Sequence, residues 1–212
     1  MKQGLFVTLE GGEGAGKTSS IPYVQALLEN SGREVLLTRE PGGTELGERI
    51  RELLLTPGQG EIHENTELLL MFAARAQHLQ TVILPAIEQG KIVLCDRFTD
   101  ATYAYQGGGR QISNERIAVL EEWVQQGRQP DMTILFDIPV EQGLARANQR
   151  SDPDRFEQED LEFFERVRQA YLAGAQEQPQ RIKVIDASKP FEEVKQQLDA
   201  VVNTFLREHN LS

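Results

Sequence analysis

A glycine-rich octapeptide near the amino terminus constrains the fold of this chain more than any other feature. Its sequence is Gly11-Gly12-Glu13-Gly14-Ala15-Gly16-Lys17-Thr18, which follows the pattern G-x-x-x-x-G-K-[ST]. A short apolar run precedes it and an amphipathic stretch follows it, so we expect it to connect a strand to a helix. There the glycines let backbone amides converge on phosphate oxygens, Lys17 reaches the β- and γ-phosphates, and Thr18 offers its hydroxyl to Mg²⁺. The pattern predicts an ATP-binding phosphate loop over residues 11–18.

Short apolar runs alternate with amphipathic stretches along the whole chain. The runs are Leu5–Leu9, Glu34–Thr38, Ile92–Cys95, Met132–Phe136 and Arg181–Ile185. The amphipathic stretches are Ile21–Glu29, Leu46–Leu55, Glu67–Glu88, Glu115–Gln126, Leu161–Leu172 and Val194–Leu206. This alternation predicts an α/β fold, a three-layer sandwich in which a five-stranded parallel sheet carries helices on both faces. Because the sequence shows neither a repeat nor a long linker, we expect one domain over residues 1–212.

Charge and composition exclude several classes of partner. The chain has 22 basic and 33 acidic side chains and a net charge of −11, which disfavours binding to nucleic acids. It lacks an apolar run near the ~20 residues that span a membrane, so we expect no membrane association. A single cysteine, Cys95, cannot form an internal disulfide and suits a reducing compartment. We therefore expect a cytoplasmic protein.

The phosphate loop alone is compatible with GTPases, large ATPases and small-molecule kinases. A GTPase needs N-K-x-D after a late strand, and the nearest segment, Ala187-Ser188-Lys189-Pro190, lacks both Asn and Asp. The length of 212 residues disfavours a large ATPase. These observations favour a kinase that acts on a small phosphorylated acceptor.

Four further motifs resemble the bacterial thymidylate kinase family. They are Thr38-Arg39-Glu40-Pro41-Gly42-Gly43-Thr44, Cys95-Asp96-Arg97-Phe98, Ala104-Tyr105-Gln106-Gly107-Gly108-Gly109-Arg110 and Asp154-Arg155-Phe156-Glu157. The resemblance runs in order from the first strand to the last helix. It implies the reaction ATP + dTMP → ADP + dTDP, dependence on Mg²⁺, a homodimer and the strand order 2-3-1-4-5.

Asp96 and Arg97 follow the third apolar run, where the carboxyl end of a strand can present them to a ligand. We expect Asp96 to hold Mg²⁺ with Thr18, directly or through water, and Arg97 to bind the acceptor phosphate and assist catalysis. Asp137 ends the fourth run and is a competing candidate for the metal. We prefer Asp96 because the adjacent arginine completes a site and the family has D-R at this point.

The resemblance assigns the remaining acceptor contacts. Arg39, Glu40 and Arg51 would help to hold the monophosphate, and Arg75 would donate to O4 of thymine. Thr102 and Gln106 would contact the base edge, and Tyr105 would lie under the deoxyribose. For the side chain that stacks on thymine, two candidates stay open. Phe72 shares a helical face with Arg75, whereas the family commonly places its aromatic four residues before this arginine, at Met71 here.

Three arginines surround a polar segment between two predicted helices. Arg146, Arg150 and Arg155 flank Ser151-Asp152-Pro153-Asp154, and we interpret residues 146–157 as a lid. Some thymidylate kinases carry an arginine at the position of Gly14, and those without it resemble this sequence and use lid arginines. Since charge on the transferred group needs fixed cations, the lid is expected to supply them.

Two other functions remain open at this point. A deoxynucleoside kinase also combines a phosphate loop with D-R and a late arginine-rich lid, but it needs a carboxylate base beside a 5′-hydroxyl. A catalytically silent nucleotide-binding module is disfavoured because Lys17, Thr18 and Asp96 are all present.

Overall fold

A computed structural model describes residues 4–58, 60–147 and 154–211, and its centre is a five-stranded sheet. The strands are β1 Leu5–Gly11, β2 Val35–Arg39, β3 Ile92–Asp96, β4 Met132–Asp137 and β5 Ile182–Asp186. They lie in the order β2-β3-β1-β4-β5, and every neighbouring pair is parallel. The predicted strands, their direction and their order are confirmed.

Helices cover both faces of this sheet. They are α1 Lys17–Glu29, α2 Glu45–Leu55, α3 Glu64–His78, α4 Leu84–Glu88, α5 Thr99–Thr102, α6 Asn114–Gln125, α7 Val140–Ala147, α8 Leu161–Glu177 and α9 Phe191–Glu208. One apolar cluster joins the sheet to α1 and α9, and others join it to α4 and α8. Every residue of β1 is buried, whereas the edge strands β2 and β5 are partly exposed. None of the described helices is both long and apolar enough to cross a membrane.

Two π-helical turns depart from the expected regular helices. The predicted stretch Glu67–Glu88 is divided between α3 and α4 by a π-helical turn at Leu79–Ile83. This turn comes just before Pro85, which has no amide hydrogen to continue the α-helical bonds. The second π-helical turn, Tyr103–Gly109, contains the Y-Q-G-G-G motif and extends α5.

Candidate active site

A cleft of about 310 Å³ opens at the carboxyl ends of β1, β2 and β3. In the sheet, Asp96 is paired with Leu9 on one side and with Arg39 on the other, so these three strands end side by side. The cleft is lined by these sequence-predicted residues: Glu13, Gly14, Ala15, Gly16, Lys17, Thr18, Glu40, Arg51, Met71, Arg75, Asp96, Arg97, Thr102, Tyr105 and Gln106. The structure thus gathers most of the predicted site into one place.

The phosphate loop depends on glycine where it meets α7. Gly14 has a φ of 66°, and a methyl group there would overlap the carbonyl oxygen of Gly143. A methyl group on Gly143 would in turn overlap the carbonyl oxygen of Glu13. The loop and α7 are therefore packed backbone against backbone, which fixes the path of residues 13 and 14.

Lys17 is buried at the start of α1, and its ammonium group faces the loop. Nζ donates hydrogen bonds to the carbonyl oxygens of Gly11 at 2.8 Å and Gly12 at 3.3 Å. Burial and the nearby Arg97 lower the pKa of Lys17, although three carboxylates oppose this effect. The sequence predicted a phosphate ligand at this position, and the structure adds that the same side chain stabilises the loop.

Arg97 adopts an unusual backbone conformation for a residue with a side chain. Its φ is 68°, in the left-handed region. Three hydrogen bonds hold this turn: the Arg97 amide donates to Leu9 O at 2.9 Å, the Cys95 thiol donates to Arg97 O at 3.1 Å, and the Phe98 amide donates to Glu10 Oε1 at 2.6 Å. The turn directs the guanidinium into the cleft.

Glu13 belongs to the phosphate loop, but its carboxylate lies among residues predicted to bind the acceptor. Oε1 accepts hydrogen bonds from Arg97 Nη2 at 2.7 Å and from the Tyr105 hydroxyl at 2.6 Å. The Arg97 guanidinium also lies 4.7 Å from the centre of the Tyr105 ring. Burial raises the pKa of Glu13, but Arg97, Lys17 and Tyr105 outweigh it, so the pKa is below its ordinary value. The phosphate-loop pattern predicts only an ATP contact for Glu13 and gives no sign of these hydrogen bonds.

A buried ion pair orients Arg75 within the cleft. Its Nε donates to Glu40 Oε2 at 2.7 Å, and its Nη2 donates to Phe98 O at 3.1 Å and to Thr102 Oγ1 at 3.0 Å. His78 Nδ1 lies 3.0 Å from the other Glu40 oxygen. The third nitrogen, Arg75 Nη1, is buried without a hydrogen-bond partner in the described structure. Arg75 therefore has one donor group to offer to a ligand.

The two candidates for stacking on the base are separated by the structure. Met71 lines the cleft. Phe72 is only 3% exposed and packs with Leu68, Ile112 and Ile117 between α3 and α6. Phe72 does not line the cleft, so the structure does not bring it together with the other predicted acceptor residues.

Several predicted arginines make contacts outside the cleft lining. Arg155 donates to Leu54 O at 2.7 Å and to Glu67 Oε2 at 2.6 Å, and Glu67 also accepts from Gln106 at 2.8 Å. Arg39 forms an exposed ion pair with Glu48.

Arg146 and Arg51 make other contacts. Arg146 donates to Ala187 O at 2.9 Å, while Arg51 lines the cleft and donates to Pro41 O at 3.0 Å. Arg150 lies outside the described residues, as does the whole segment between α7 and Asp154. Of the lid, Ala147, Asp154, Phe156 and Glu157 border the cleft.

The two candidate metal ligands also differ in their partners. Asp137 forms a bidentate pair with Arg168 at 2.7 and 2.9 Å. Asp96 Oδ1 is buried and accepts no hydrogen bond from any described residue. Asp96 and Thr18 both line the cleft, and an unpartnered carboxylate oxygen there suits Mg²⁺, which binds few protein oxygens and retains phosphate and water ligands. The described residues contain no cluster of three or more His, Cys, Asp or Glu side chains that could hold a metal.

Comparisons with known proteins point to one family. A family model described as thymidylate kinase matches residues 9–198. Thymidylate kinase from Pseudomonas putida strain GB-1 is 60% identical over 199 residues, covering 94% of this chain and 95% of that protein. The enzyme of that name from Ectopseudomonas mendocina strain ymp is 59% identical over 203 residues, covering 96% and 97%. The crystal structure of thymidylate kinase from Ehrlichia chaffeensis matches with a TM-score of 0.76 and 34% identity, covering 95% of this chain and 99% of that one.

Proposed function

This chain belongs to the thymidylate kinase family, and on that premise we propose that its cleft transfers the γ-phosphoryl group of ATP to the 5′-phosphate of dTMP. The main support for these roles is that two groups of residues line the same cleft. Lys17 and Thr18 come from the phosphate loop, and Arg75, Arg97 and Tyr105 come from segments that follow β2 and β3 in the chain. The first group suits ATP, and the second suits a nucleotide acceptor.

In this proposal, the acceptor is held by oriented arginine hydrogen-bond donors and not by the net charge of the cleft lining. The described lining contains the cations Lys17, Arg51, Arg75 and Arg97 and the carboxylates Glu13, Glu40, Asp96, Asp154 and Glu157. Glu40 and Glu13 are each paired with an arginine, which fixes the direction of that arginine. Arg97 and Arg51 bind the acceptor phosphate, and Arg75 Nη1 donates to the base.

Catalysis in this site rests on positioning and electrostatics. The chain holds the two phosphates in line, and Lys17 stabilises charge on the transferred group. Asp96 and Thr18 would hold Mg²⁺, which would supply positive charge to offset that of the ATP phosphates. The lid at residues 146–157 supplies further cations, with Arg146 and Arg150 as the candidates that remain after Arg155 is placed against Glu67.

A phosphorylated acceptor is favoured over a nucleoside acceptor by the state of Glu13. A deoxynucleoside kinase needs a free carboxylate to accept the proton of a 5′-hydroxyl. Glu13 is bonded to Arg97 and Tyr105, and its lowered pKa makes it a weak base. The dTMP phosphate already carries its charge and needs no such base.

Release of ADP with dTMP, with thymidine and without acceptor tests the proposed reaction. We expect the rate of ADP release with dTMP to exceed the rates with thymidine and without acceptor by orders of magnitude. In the same assay, Lys17→Ala should lower kcat by more than about tenfold, equivalent to about 1.4 kcal/mol in barrier. Lys183→Ala is the matched control, because Lys183 is half-buried on the edge strand β5, does not line the cleft and donates to Pro179 O at 2.9 Å. Equal turnover with thymidine would contradict the assignment.

We also propose that the chain acts as a homodimer and a single cytoplasmic kinase domain. Three large apolar side chains are exposed on the neighbouring helices α3 and α6: Leu69 at 56%, Val119 at 68% and Trp123 at 75%. Large apolar side chains exposed on neighbouring helices are typical of a protein–protein interface, and a second copy is the occupant that the family resemblance implies. Trp123→Glu should shift the mass measured by light scattering to a monomer, whereas Phe191→Glu on α9 should not. A wild-type monomer at micromolar concentration would contradict this proposal.

A further inference from the structure

Tyr171 connects two buried groups that lie far from it in the sequence. Its hydroxyl donates to Glu10 Oε2 at 2.8 Å, across 161 residues of sequence. The same hydroxyl accepts from Arg97 Nη1 at 3.4 Å. Tyr171 lies on α8 and is not among the residues that line the cleft, but it contacts two of them, Arg97 and the ring of Tyr105.

Glu10 links this tyrosine to the backbone of the Arg97 turn. The side chain is completely buried at the end of β1. One carboxyl oxygen of Glu10 accepts from the Phe98 amide, and the other is hydrogen-bonded to the Tyr171 hydroxyl. A single carboxyl group therefore supports both the left-handed turn at Arg97 and the tyrosine that contacts its guanidinium.

The guanidinium of Arg97 is consequently held from two sides. Glu13 accepts from Nη2 on the side of the cleft, and Tyr171 contacts Nη1 from behind. An arginine side chain loses considerable rotamer freedom when a ligand immobilises it. Contacts that restrict the side chain before binding lower this cost, which is the advantage of preorganisation.

We propose that Tyr171 and Glu10 are positioning residues that orient Arg97 toward the acceptor phosphate. This inference rests on the proposed role of Arg97 as a ligand of that phosphate. Tyr171 and Glu10 touch neither substrate. Their effect is exerted on the phosphate of the acceptor and not on its base or sugar.

Tyr171→Phe tests the proposal, because it removes the hydroxyl and keeps the ring that packs against Tyr105. The dissociation constants of dTMP and of thymidine are measured by calorimetry for the wild type and the variant. We expect dTMP to bind about three- to tenfold more weakly, as for loss of one hydrogen bond, and thymidine to bind within about twofold of wild type. Equal weakening of both ligands, or no change in either, would overturn the proposal.

Tyr23→Phe is the matched control. The Tyr23 hydroxyl also donates to a carboxylate, Asp199 Oδ1 at 2.7 Å, but it joins α1 to α9 away from the cleft. This variant should bind both ligands like the wild type. A selective loss of dTMP affinity in Tyr23→Phe would show that the effect is not specific to Tyr171, and would count against the proposal.

Arg97→Ala separates this proposal from the assignment on which it rests. If Arg97 binds the acceptor phosphate, Arg97→Ala weakens dTMP and spares thymidine, and adding Tyr171→Phe weakens dTMP no further. If Arg97→Ala weakens both ligands equally, the role of Arg97 is wrong. If Arg97→Ala is selective for dTMP but Tyr171→Phe has no effect, only the positioning role fails.

Discussion

Arg75 donates from Nε to Oε2 of Glu40 across 2.7 Å, in an ion pair whose two side chains are 3% and 4% exposed. A pair this buried is expensive to break, because removal of one member leaves the other charge without a partner. It also fixes the plane of the guanidinium, so that Nη1 keeps one direction.

Arg75→Ala should therefore affect stability and binding together. We expect the free energy of unfolding to fall by roughly 3–5 kcal/mol, since Glu40 loses its charged partner. The double variant Arg75→Ala/Glu40→Gln should recover part of that loss in urea unfolding but should not recover dTMP affinity. Recovery of dTMP affinity in the double variant would show that Arg75 only balances Glu40.

Alanine substitutions at Gly12, Gly14 and Gly16 of the phosphate loop distinguish the cost of backbone strain from the cost of steric overlap with α7. Gly16 has a φ of 87°, but a methyl group there meets nothing within 4 Å, and the same space is open at Gly12. Without nucleotide, Gly16→Ala should cost about 1–2 kcal/mol, and Gly12→Ala should lie within about 1 kcal/mol of wild type. Gly14→Ala should exceed both because it also overlaps α7. Equal losses in the free energy of unfolding for Gly14→Ala and Gly16→Ala would mean that α7 shifts to accommodate the methyl group without an energetic cost.

The three lid arginines should differ in what they contribute. Arg155→Ala leaves the buried Glu67 with fewer partners, so we expect a stability loss of about 1–3 kcal/mol with much of kcat retained. Removal of an arginine that stabilises the transferred phosphoryl group costs about 10³–10⁵ in kcat elsewhere. We expect a loss of that kind in Arg146→Ala or Arg150→Ala. If all three variants kept nearly full kcat, the lid would not be the source of catalytic cations.

Tyr105 should discriminate deoxyribose from ribose. Its hydroxyl is bonded to Glu13 and its ring lies beside Arg97, so a 2′-hydroxyl against this ring would lack room and a partner. An unsatisfied buried hydroxyl costs roughly 1–3 kcal/mol. We expect Tyr105→Ala to narrow the ratio of kcat/KM for dTMP over ribothymidylate, mainly by losing dTMP activity. If this ratio of kcat/KM values were unchanged in the variant, Tyr105 would serve only in packing and not in recognition of the sugar.

Glu10 should make the stability of the protein decrease with rising pH. Burial and the nearby Asp100 raise the pKa of Glu10 from 4.5 to about 8. Between these values the unfolded chain releases the proton while the folded protein keeps it, so the contribution of this carboxyl to stability is present below pH 4.5 and is lost by about pH 8. In urea unfolding at several pH values, Glu10→Gln should show a shallower decrease than the wild type. Parallel profiles would contradict the raised pKa.

The sheet and the motifs at its edge could be predicted from sequence because both depend on local order along the chain. Strand β3 ends at Asp96, so its apolar run also placed the D-R motif at the cleft. The choice between Met71 and Phe72 could not be made in this way. Both residues lie on α3, and the difference between them depends on tertiary packing. Phe72 packs in the apolar cluster against α6, whereas Met71 lines the cleft.

Contacts between segments that are distant in the sequence could not be predicted either. Tyr171 has no motif of its own, and its partner Glu10 is 161 residues away. Glu13 lies inside a motif whose pattern leaves its position unspecified, so its bonds to Arg97 and Tyr105 depend on how β1 and β3 pair. The pairing of strands brings such side chains together, and no local pattern encodes it.

The backbone contact between Gly14 and Gly143 has a consequence for how this enzyme could change over evolutionary time. An arginine at position 14, as some family members carry, could not enter this loop while α7 keeps its place. A lineage that moved its catalytic cation from lid to loop would need to alter α7 before or together with the loop. A substitution at position 14 alone would overlap α7 and destabilise the fold. In this chain the loop and α7 therefore form one packing unit, in which a change in either segment constrains the other.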